Sequence, residues 1–195
     1  MAPGQKGASR LKAALVFIDE SGFLMAPHLR RSWAPRGMTP VLFQRGRAWG
    51  KVSAIAALVV PPQRNRVSCV FRLHPNATID AGLVLGFLRQ LARHLGDTAF
   101  FVIWDRWQPH RATRVRTFLA RLPGANSHLL PAYAPELNPV EYLWDYLKIN
   151  PLANLAPDDA EALAVLTRGH ARSVQRCSTL LRSFIEHSPL SLRLK

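Results

Sequence analysis

The chain has 195 residues, of which 48% are hydrophobic, and 26 Lys and Arg against 12 Asp and Glu give it a formal net charge of +14. This composition is sufficient for one large folded domain and excludes an intrinsically disordered chain. The two cysteines, Cys69 and Cys177, are too few for a disulfide framework and lack zinc-finger spacing, so we expect two buried, reduced thiols.

The first half of the chain is typical of three strands. Residues 13–19 form an apolar run that predicts a buried strand. Residues 20–50 are rich in proline and glycine, which predicts a long loop with one short strand around residues 41–43. Residues 52–60 and 67–73 predict two more strands, paired antiparallel across a short polar turn.

The second half of the chain alternates between helical and strand patterns. Such an order, after a run of strands, is typical of an α/β fold: a mixed sheet flanked by helices, with a helical C-terminal tail. The predicted elements are a helix at 80–95, a strand at 100–104, a basic amphipathic helix at 111–122, a strand at 128–130, a helix at 138–148, and a helical tail at 157–185 that is open to a break in its middle.

Three acidic residues stand at the ends of predicted elements. Asp19 and Asp105 each follow an apolar run, Glu141 stands near a helix start, and thirty-five residues separate Asp105 from Glu141. If the strands before the two aspartates pair in parallel, both residues leave the sheet at the edge where α/β folds bind ligands. Because carboxylates near a core are costly, a shared divalent cation is the simplest interpretation.

Each acidic residue also has an ordinary structural interpretation. Asp19 begins a turn-like segment, Asp105 suits a helix N-cap or a turn, and residues 138–141 fit a capping box that ends in Glu141. Glu20 points to the other face of an extended strand, so it is a weaker candidate ligand. On the residues alone both interpretations stay open.

Arginine dominates the positive charge, and the pI near 11.3 favours a nucleic acid over an anionic membrane surface. Trp33 and Trp49 stand among basic residues and either stack on nucleic acid or anchor their loop, and for Trp33 we favour a core anchor. Arg168, Arg172 and Arg176 form a helical stripe that is either a binding face or solvated surface. The candidate nucleic-acid contacts are Arg30, Arg31, Arg36, Arg45, Arg47, Lys51, Arg111, Arg114 and Lys148.

Residues 130–144 read LPAYAPELNPVEYLW and resemble the "P-Y-S-P-E-L-N-P-I-E-x-x-W" segment of DDE transposases in the mariner-like superfamily, specifically its bacterial insertion-sequence branch. Residues 17–23, followed by WAPRG at 33–37, resemble the first catalytic block of that family. Residues 105–110 resemble its second block, an aspartate followed a few residues later by a histidine. The resemblance covers residues 13–150 with the blocks in the family's order.

The resemblance implies a ribonuclease H-like fold in which the catalytic residues Asp19, Asp105 and Glu141 hold two Mg²⁺ ions, with Mn²⁺ able to substitute. It implies metal-dependent cleavage and strand transfer of DNA, with transposon ends and target DNA as substrates and a homodimer as the active form. His110 is then a supporting residue that either contacts substrate phosphate or orients Asp105. The family's second block often reads Asp-Asn, so Arg106 leaves the ligand intact but puts any role of that amide in doubt.

Full-length relatives carry an N-terminal helix-turn-helix region, which we expect this chain to lack. The expected organisation is a basic N-terminal tail at 1–12, the catalytic domain at 13–150 and a basic helical extension at 151–195. A separately encoded helix-turn-helix chain is then a candidate partner. The alternatives are a non-catalytic DNA-binding remnant of a transposase and a cellular ribonuclease H-like nuclease.

The sequence predicts no membrane association. No apolar run reaches the roughly 18 residues that a membrane span requires, and no signal peptide is evident. We therefore expect a cytoplasmic protein, and the resemblance to the bacterial insertion-sequence branch implies a bacterial, nucleoid-associated one.

Overall fold

The computed structural model describes residues 12–26, 28–41, 43, 50–190 and 192–195. The predicted N-terminal tail, apart from Lys12, lies outside these residues. So do Leu42 in the predicted short strand and three of the basic-loop residues named above, Arg45, Arg47 and Trp49.

Five strands form one mixed sheet. They are β1 (Ala14–Leu24), β2 (Lys51–Val60), β3 (Ser68–Pro75), β4 (Phe100–Trp104) and β5 (Ala125–Leu129). Their order across the sheet is β3-β2-β1-β4-β5. Antiparallel pairing joins β1 to β2 and β2 to β3, whereas β1 pairs with β4 and β4 with β5 in parallel. The predicted mixed sheet, with the strands before Asp19 and Asp105 in parallel, is thus confirmed.

In the described part of the chain, five α-helices cover the sheet. They are α1 (Ala81–Leu95), α2 (Thr113–Arg121), α3 (Pro139–Ile149), α4 (Ala160–Arg176) and α5 (Ser178–His187). Short 3-10 helices precede α2 (Gln108–Arg111) and α3 (Pro135–Leu137). The predicted tail is helical and breaks at Cys177, between α4 and α5.

The alternation of side chains along the strands builds a separate core on each face of the sheet. Ala14, Val16 and Ile18 of β1 pack toward α1 and α2. Leu15 and Phe17 face the opposite way and pack with α3, α4 and α5. The helices after residue 151 therefore bury their apolar faces in the same core as β1, and the domain boundary drawn at residue 150 stays a prediction.

The first strand is longer than predicted. The sequence predicts a strand only up to Asp19. In the structure β1 continues to Leu24, because residues 15–24 pair with β2 along their whole length. No strand forms at Val41 or Phe43, and both side chains are exposed. The basic helix also begins later than predicted, since Ala112 is extended (ψ 138°) and separates a 3-10 helix from α2.

Two predictions of burial are wrong. The Trp33 side chain is 98% exposed, so this residue does not anchor its loop to the core. Cys177 is also exposed, because it occupies the break between α4 and α5 rather than a helix face. Cys69 is buried as expected, and burial raises the pKa of its thiol to about 12. No helix in the described part of the chain has the length and apolarity that crossing a membrane requires.

Candidate active site

Asp19 lies two residues past the end of the parallel ladder between β1 and β4, whose last pair is Phe17 and Ile103. It points to the same face as Phe17 because strand residues two apart share a face. There the indole Nε1 of Trp144 on α3 donates a hydrogen bond of 2.9 Å to Oδ2 of Asp19. The sheet and α3 thus fix this carboxylate together.

Asp105 follows directly after β4. Its Oδ1 accepts a hydrogen bond of 2.9 Å from the backbone N–H of Trp107, so the residue closes a turn as well as facing the cavity described below. Nδ1 of His110 lies 2.9 Å from the same oxygen. The side chain is nevertheless 54% exposed, which leaves Oδ2 available to a ligand.

His110 is held between two carboxylates. Its Nε2 lies 3.0 Å from Oε1 of Glu20, and its ring stacks on Trp104 with centroids 4.3 Å apart. Glu20 reaches it from the face of β1 opposite to Asp19, as the alternation of the strand requires. The side chain of His110 has no exposed surface, so the ring orients Asp105 and leaves no room for direct contact with a phosphate.

Glu141 stands in the first turn of α3. The N-cap residue Asn138 accepts a hydrogen bond of 3.3 Å from Val140 N–H, and its own Nδ2 donates to the carbonyl of Ile18 at 2.9 Å. In a capping box the Glu141 carboxylate would accept from Asn138 N–H, but that N–H donates to the carbonyl of Pro135 at 2.8 Å. Asn138 therefore caps the helix and ties it to β1 beside Asp19, while the Glu141 carboxylate faces the cavity.

The three carboxylates line one cavity of about 620 Å³ beside the point where the parallel ladder of β1 and β4 ends. Asp19 itself stays in the sheet, because β1 continues to Leu24 in its pairing with β2. The structure thus brings together Asp19 and Glu141, which lie more than a hundred positions apart in the sequence, with Asp105 between them. The other lining residues are Arg106, Trp107, Leu130, Pro131, Ala132, Tyr133, Ala134, Pro135 and Asn138.

The electrostatics show that these acids share one site. Burial and, to a smaller extent, the charges of Glu141, Glu20 and Asp105 together raise the pKa of Asp19 to about 8, against the lowering effect of the Trp144 hydrogen bond. Burial also raises the pKa of Glu141, with further contributions from Asp145 and Asp105. Clustered carboxylates that resist ionisation bind a cation readily, because its charge offsets their repulsion.

The pKa values of Asp105 and His110 shift in opposite directions, each favouring the charged form. The hydrogen bond from His110 lowers the pKa of Asp105, despite the opposing effect of its burial. Burial alone would lower the pKa of His110, but its hydrogen bonds to Asp105 and Glu20 and their negative charges raise it to about 9. At neutral pH His110 is therefore protonated and donates from both ring nitrogens.

The donor set fits a hard divalent cation. All three candidate ligands are carboxylates, and Mg²⁺ prefers oxygen ligands while keeping several of its waters. Within the described ranges, no three His, Cys, Asp or Glu side chains stand close enough around one point to enclose an ion. The carboxylates line an open cavity, which suits an ion that shares its coordination shell with water and substrate oxygens.

The basic candidates lie in several places. Arg30, Arg31 and Arg36 are exposed on the loop after β1, and Arg111 is exposed beside His110. The backbone N–H of Arg30 donates a hydrogen bond of 2.8 Å to Oδ1 of Asn154. Of the other candidates, Lys51 donates through Nζ to the hydroxyl of Thr78 at 2.7 Å, and Arg114 lies 3.8 Å from the Asp80 carboxylate. Nζ of Lys148 lies 5.9 Å from the centroid of the Phe23 ring. Lys148 is close enough to Glu141 to lower its pKa.

Sequence reasoning missed three supporting residues. The sequence indicates Glu20 only as a weak ligand and Asn138 only as the start of a capping box, and it gives Trp144 no role beyond the family-like segment at 130–144. The one available signal was spacing, since Trp144 follows Glu141 by three residues and shares its side of the helix. Nε of Arg106 donates a hydrogen bond of 3.3 Å to the carbonyl of Leu130.

A family model described as DDE superfamily endonuclease matches residues 14–164. No protein among the curated ones matches the sequence. The structure is similar to the Mos1 transposase paired-end complex with left transposon end, with a TM-score of 0.64 and 20% identity over 95% of this chain and 55% of the Mos1 chain. The fold is therefore ribonuclease H-like, as expected.

Two further Mos1 structures agree with this match. The mariner Mos1 paired end complex with Mg gives a TM-score of 0.58 and 21% identity over 89% of this chain and 52% of that chain. The catalytic domain of Mos1 mariner transposase gives a TM-score of 0.57 and 16% identity over 95% of this chain and 81% of that chain. This chain thus spans about half of the longer Mos1 chains and most of the catalytic domain.

Proposed function

The chain belongs to the DDE superfamily endonucleases, and we propose that it is a transposase catalytic domain that cleaves DNA and transfers strands. The observation that carries this proposal is the convergence of Asp19, Asp105 and Glu141 on one cavity, where burial and the neighbouring carboxylates raise the pKa of Asp19 to about 8. A site of this kind has little purpose without a bound cation. The net charge of +14 supports a polyanionic substrate.

We propose Asp19, Asp105 and Glu141 as the ligands of Mg²⁺, in two ions, with Mn²⁺ as a substitute. When bound by these carboxylates, the ions would supply the charge that an in-line displacement at a phosphate requires on its attacking and leaving oxygens. The protein's own part is orientation. Trp144 holds one oxygen of Asp19, and His110, itself held by Glu20, holds one oxygen of Asp105.

Several finer points are also proposals. Mos1 is solved in complexes with transposon ends, and we propose that transposon ends and target DNA are the substrates here. Joining two DNA ends requires two active sites, so a homodimer is the proposed active form. The exposed apolar side chains of Leu29, Trp33 and Met38 on the loop after β1 give such an assembly a surface to cover.

The origin and the DNA-recognition part also belong to the proposal. We propose a bacterial insertion sequence as the source, a nucleoid-associated location in the cytoplasm, and a helix-turn-helix region supplied by a separate chain. Expression with candidate helix-turn-helix chains, followed by co-purification, tests the last point.

Nicking of supercoiled plasmid tests the central proposal. The purified chain should nick DNA with Mg²⁺ or Mn²⁺, and both EDTA and Asp105→Asn should abolish nicking. Salt-sensitive DNA binding without nicking, even after a helix-turn-helix partner is added, would instead favour a non-catalytic remnant. Asp97→Asn is the matched control, because Asp97 lines a different cavity, at the amino edge of the sheet.

A further inference from the structure

The cavity of the three carboxylates has a second wall that metal binding does not require. Leu130, Pro131, Ala132, Ala134 and Pro135 line it with apolar surface. A divalent ion, its waters and a phosphate are all polar, so they gain nothing from an apolar wall. This wall therefore suits a part of the substrate that is flat and poorly hydrated.

Tyr133 lies in the middle of this wall. Its side chain is fully exposed and its φ is +57°, a left-handed conformation that is rare for a bulky residue and is typically retained where it serves function. Pro131 and Pro135 on either side restrict the loop. The backbone thus presents the ring outward instead of letting it collapse onto the core.

Trp107 contributes a second aromatic ring to the same cavity. It is 37% exposed, and the ring packs edge-to-face on His110 with centroids 5.6 Å apart and planes at 85°. Its backbone N–H is bonded to Asp105. Because His110 also holds Asp105, the position of the Trp107 ring is fixed relative to that carboxylate.

We propose that Tyr133 and Trp107 form a stacking subsite for an unpaired nucleobase beside the reacting phosphate. This inference rests on the proposed function, because it assumes a DNA substrate. Every base has a π-face, so stacking on aromatic side chains tolerates any sequence. In a duplex both faces are covered by neighbouring bases, so the subsite selects DNA whose bases are unpaired at the reacting end.

Binding of two matched oligonucleotides tests the subsite. One is a hairpin duplex with a short single-stranded 3′ end, and the other carries abasic sites in that end. Fluorescence anisotropy with Ca²⁺ in place of Mg²⁺ limits cleavage during the titration. The wild-type chain should bind the base-bearing end between about 5-fold and about 150-fold more tightly, the range expected for one stacked base.

Two variants separate stacking from folding. Tyr133→Gly should abolish the preference for the base-bearing end without lowering the thermal midpoint, because glycine adopts a positive φ without strain. Tyr133→Phe keeps the ring and should keep the preference. Equal binding of the two oligonucleotides by the wild-type chain, or a preference that survives in Tyr133→Gly, would overturn the inference.

These experiments distinguish failure of the stacking subsite from failure of the proposed function. A base preference that depends on Tyr133, in a chain that never nicks DNA, would support the subsite and count against catalysis. Metal-dependent nicking without any base preference would count against the subsite alone.

Discussion

Nε1 of Trp144 donates a hydrogen bond of 2.9 Å to Oδ2 of Asp19, across 125 residues of sequence. The bond joins α3 to β1, and Glu141 lies one turn before Trp144 on the same helix. Asn138 makes a second connection at the start of α3, through its bond to the carbonyl of Ile18. Two of the three carboxylates are therefore positioned by one rigid unit made of the first strand and a single helix.

Trp144→Phe tests this connection. Phenylalanine keeps a ring to pack against Phe23 but removes the N–H that holds Asp19. We expect the Mg²⁺ concentration for half-maximal nicking to rise and the nicking rate to fall roughly 10- to 100-fold, the usual effect of losing a group that orients a metal ligand. An unchanged Mg²⁺ requirement, with only a lower thermal midpoint, would reduce Trp144 to a packing role.

Asp19→Asn should stabilise the metal-free protein at high pH. The folded-state pKa of Asp19 is about 8, above its ordinary value of 3.8, so between these values the folded state holds a proton that the unfolded state has lost. The free energy of unfolding of the wild type therefore falls as pH rises through this window. The free energy of unfolding of Asp19→Asn should exceed that of the wild type by its full amount above about pH 8, and the difference should vanish near pH 3.8.

Thermal melts in EDTA across this pH range measure the effect. Adding Mg²⁺ should stabilise the wild type and not Asp19→Asn, because the ion replaces the proton on the carboxylate cluster. A pH-independent difference between the two proteins would show that Asp19 is not held in its uncharged form.

Glu141→Gln and Asn138→Ala separate catalysis from capping. Glu141→Gln should abolish nicking without lowering the thermal midpoint, because the N–H of Asn138 is already bonded to Pro135 and the raised pKa of Glu141 shows that its charge is disfavoured. Asn138→Ala should destabilise the protein by about 1–2 kcal/mol, since it removes the cap and the bond to Ile18. Equal destabilisation by both variants would assign Glu141 to the cap.

Local patterns predicted most of the fold because apolar runs and helical spacing are local. The bounds of β4 at residues 100–104 agree with the apolar run, and α1 covers residues 81–95 of the helix predicted at 80–95. The extension of β1 was missed because Glu20, Ser21 and Gly22 look like a turn, and only their pairing with β2 makes them a strand. Nothing local encodes that pairing.

The candidate site was predicted less completely for the same reason. The acidic residues can be recognised in the sequence because each is a polar residue that interrupts or follows an apolar run. Their supports are contacts between distant elements, such as Glu20 with His110 and Trp144 with Asp19. A sequence pattern gives the burial of Trp144 but not the partner of its N–H. The exposure of Trp33 was likewise unpredictable, because composition does not say whether a loop folds over the core.

Arg111→Ala should weaken DNA binding more at low salt than at high salt. Arg111 is exposed beside His110, and a lost phosphate contact releases about one counterion fewer. The slope of log Kd against log salt concentration should therefore decrease by about 1. Arg93→Ala is the matched control, since Arg93 is exposed in the last turn of α1, and its slope should equal that of the wild type. Equal slopes in all three proteins would remove Arg111 from the DNA-binding surface.

The most direct test of a shared metal site is a change of metal preference at Asp105. A thiolate is a softer ligand than a carboxylate and binds Mg²⁺ poorly, whereas Mn²⁺ accepts it better. Asp105→Cys should therefore fail to nick plasmid DNA with Mg²⁺ and regain part of its activity with Mn²⁺, while Asp105→Ala stays inactive with both ions. Nicking by Asp105→Ala at the wild-type rate, or loss of activity in Asp105→Cys without any response to Mn²⁺, would contradict direct metal ligation by Asp105.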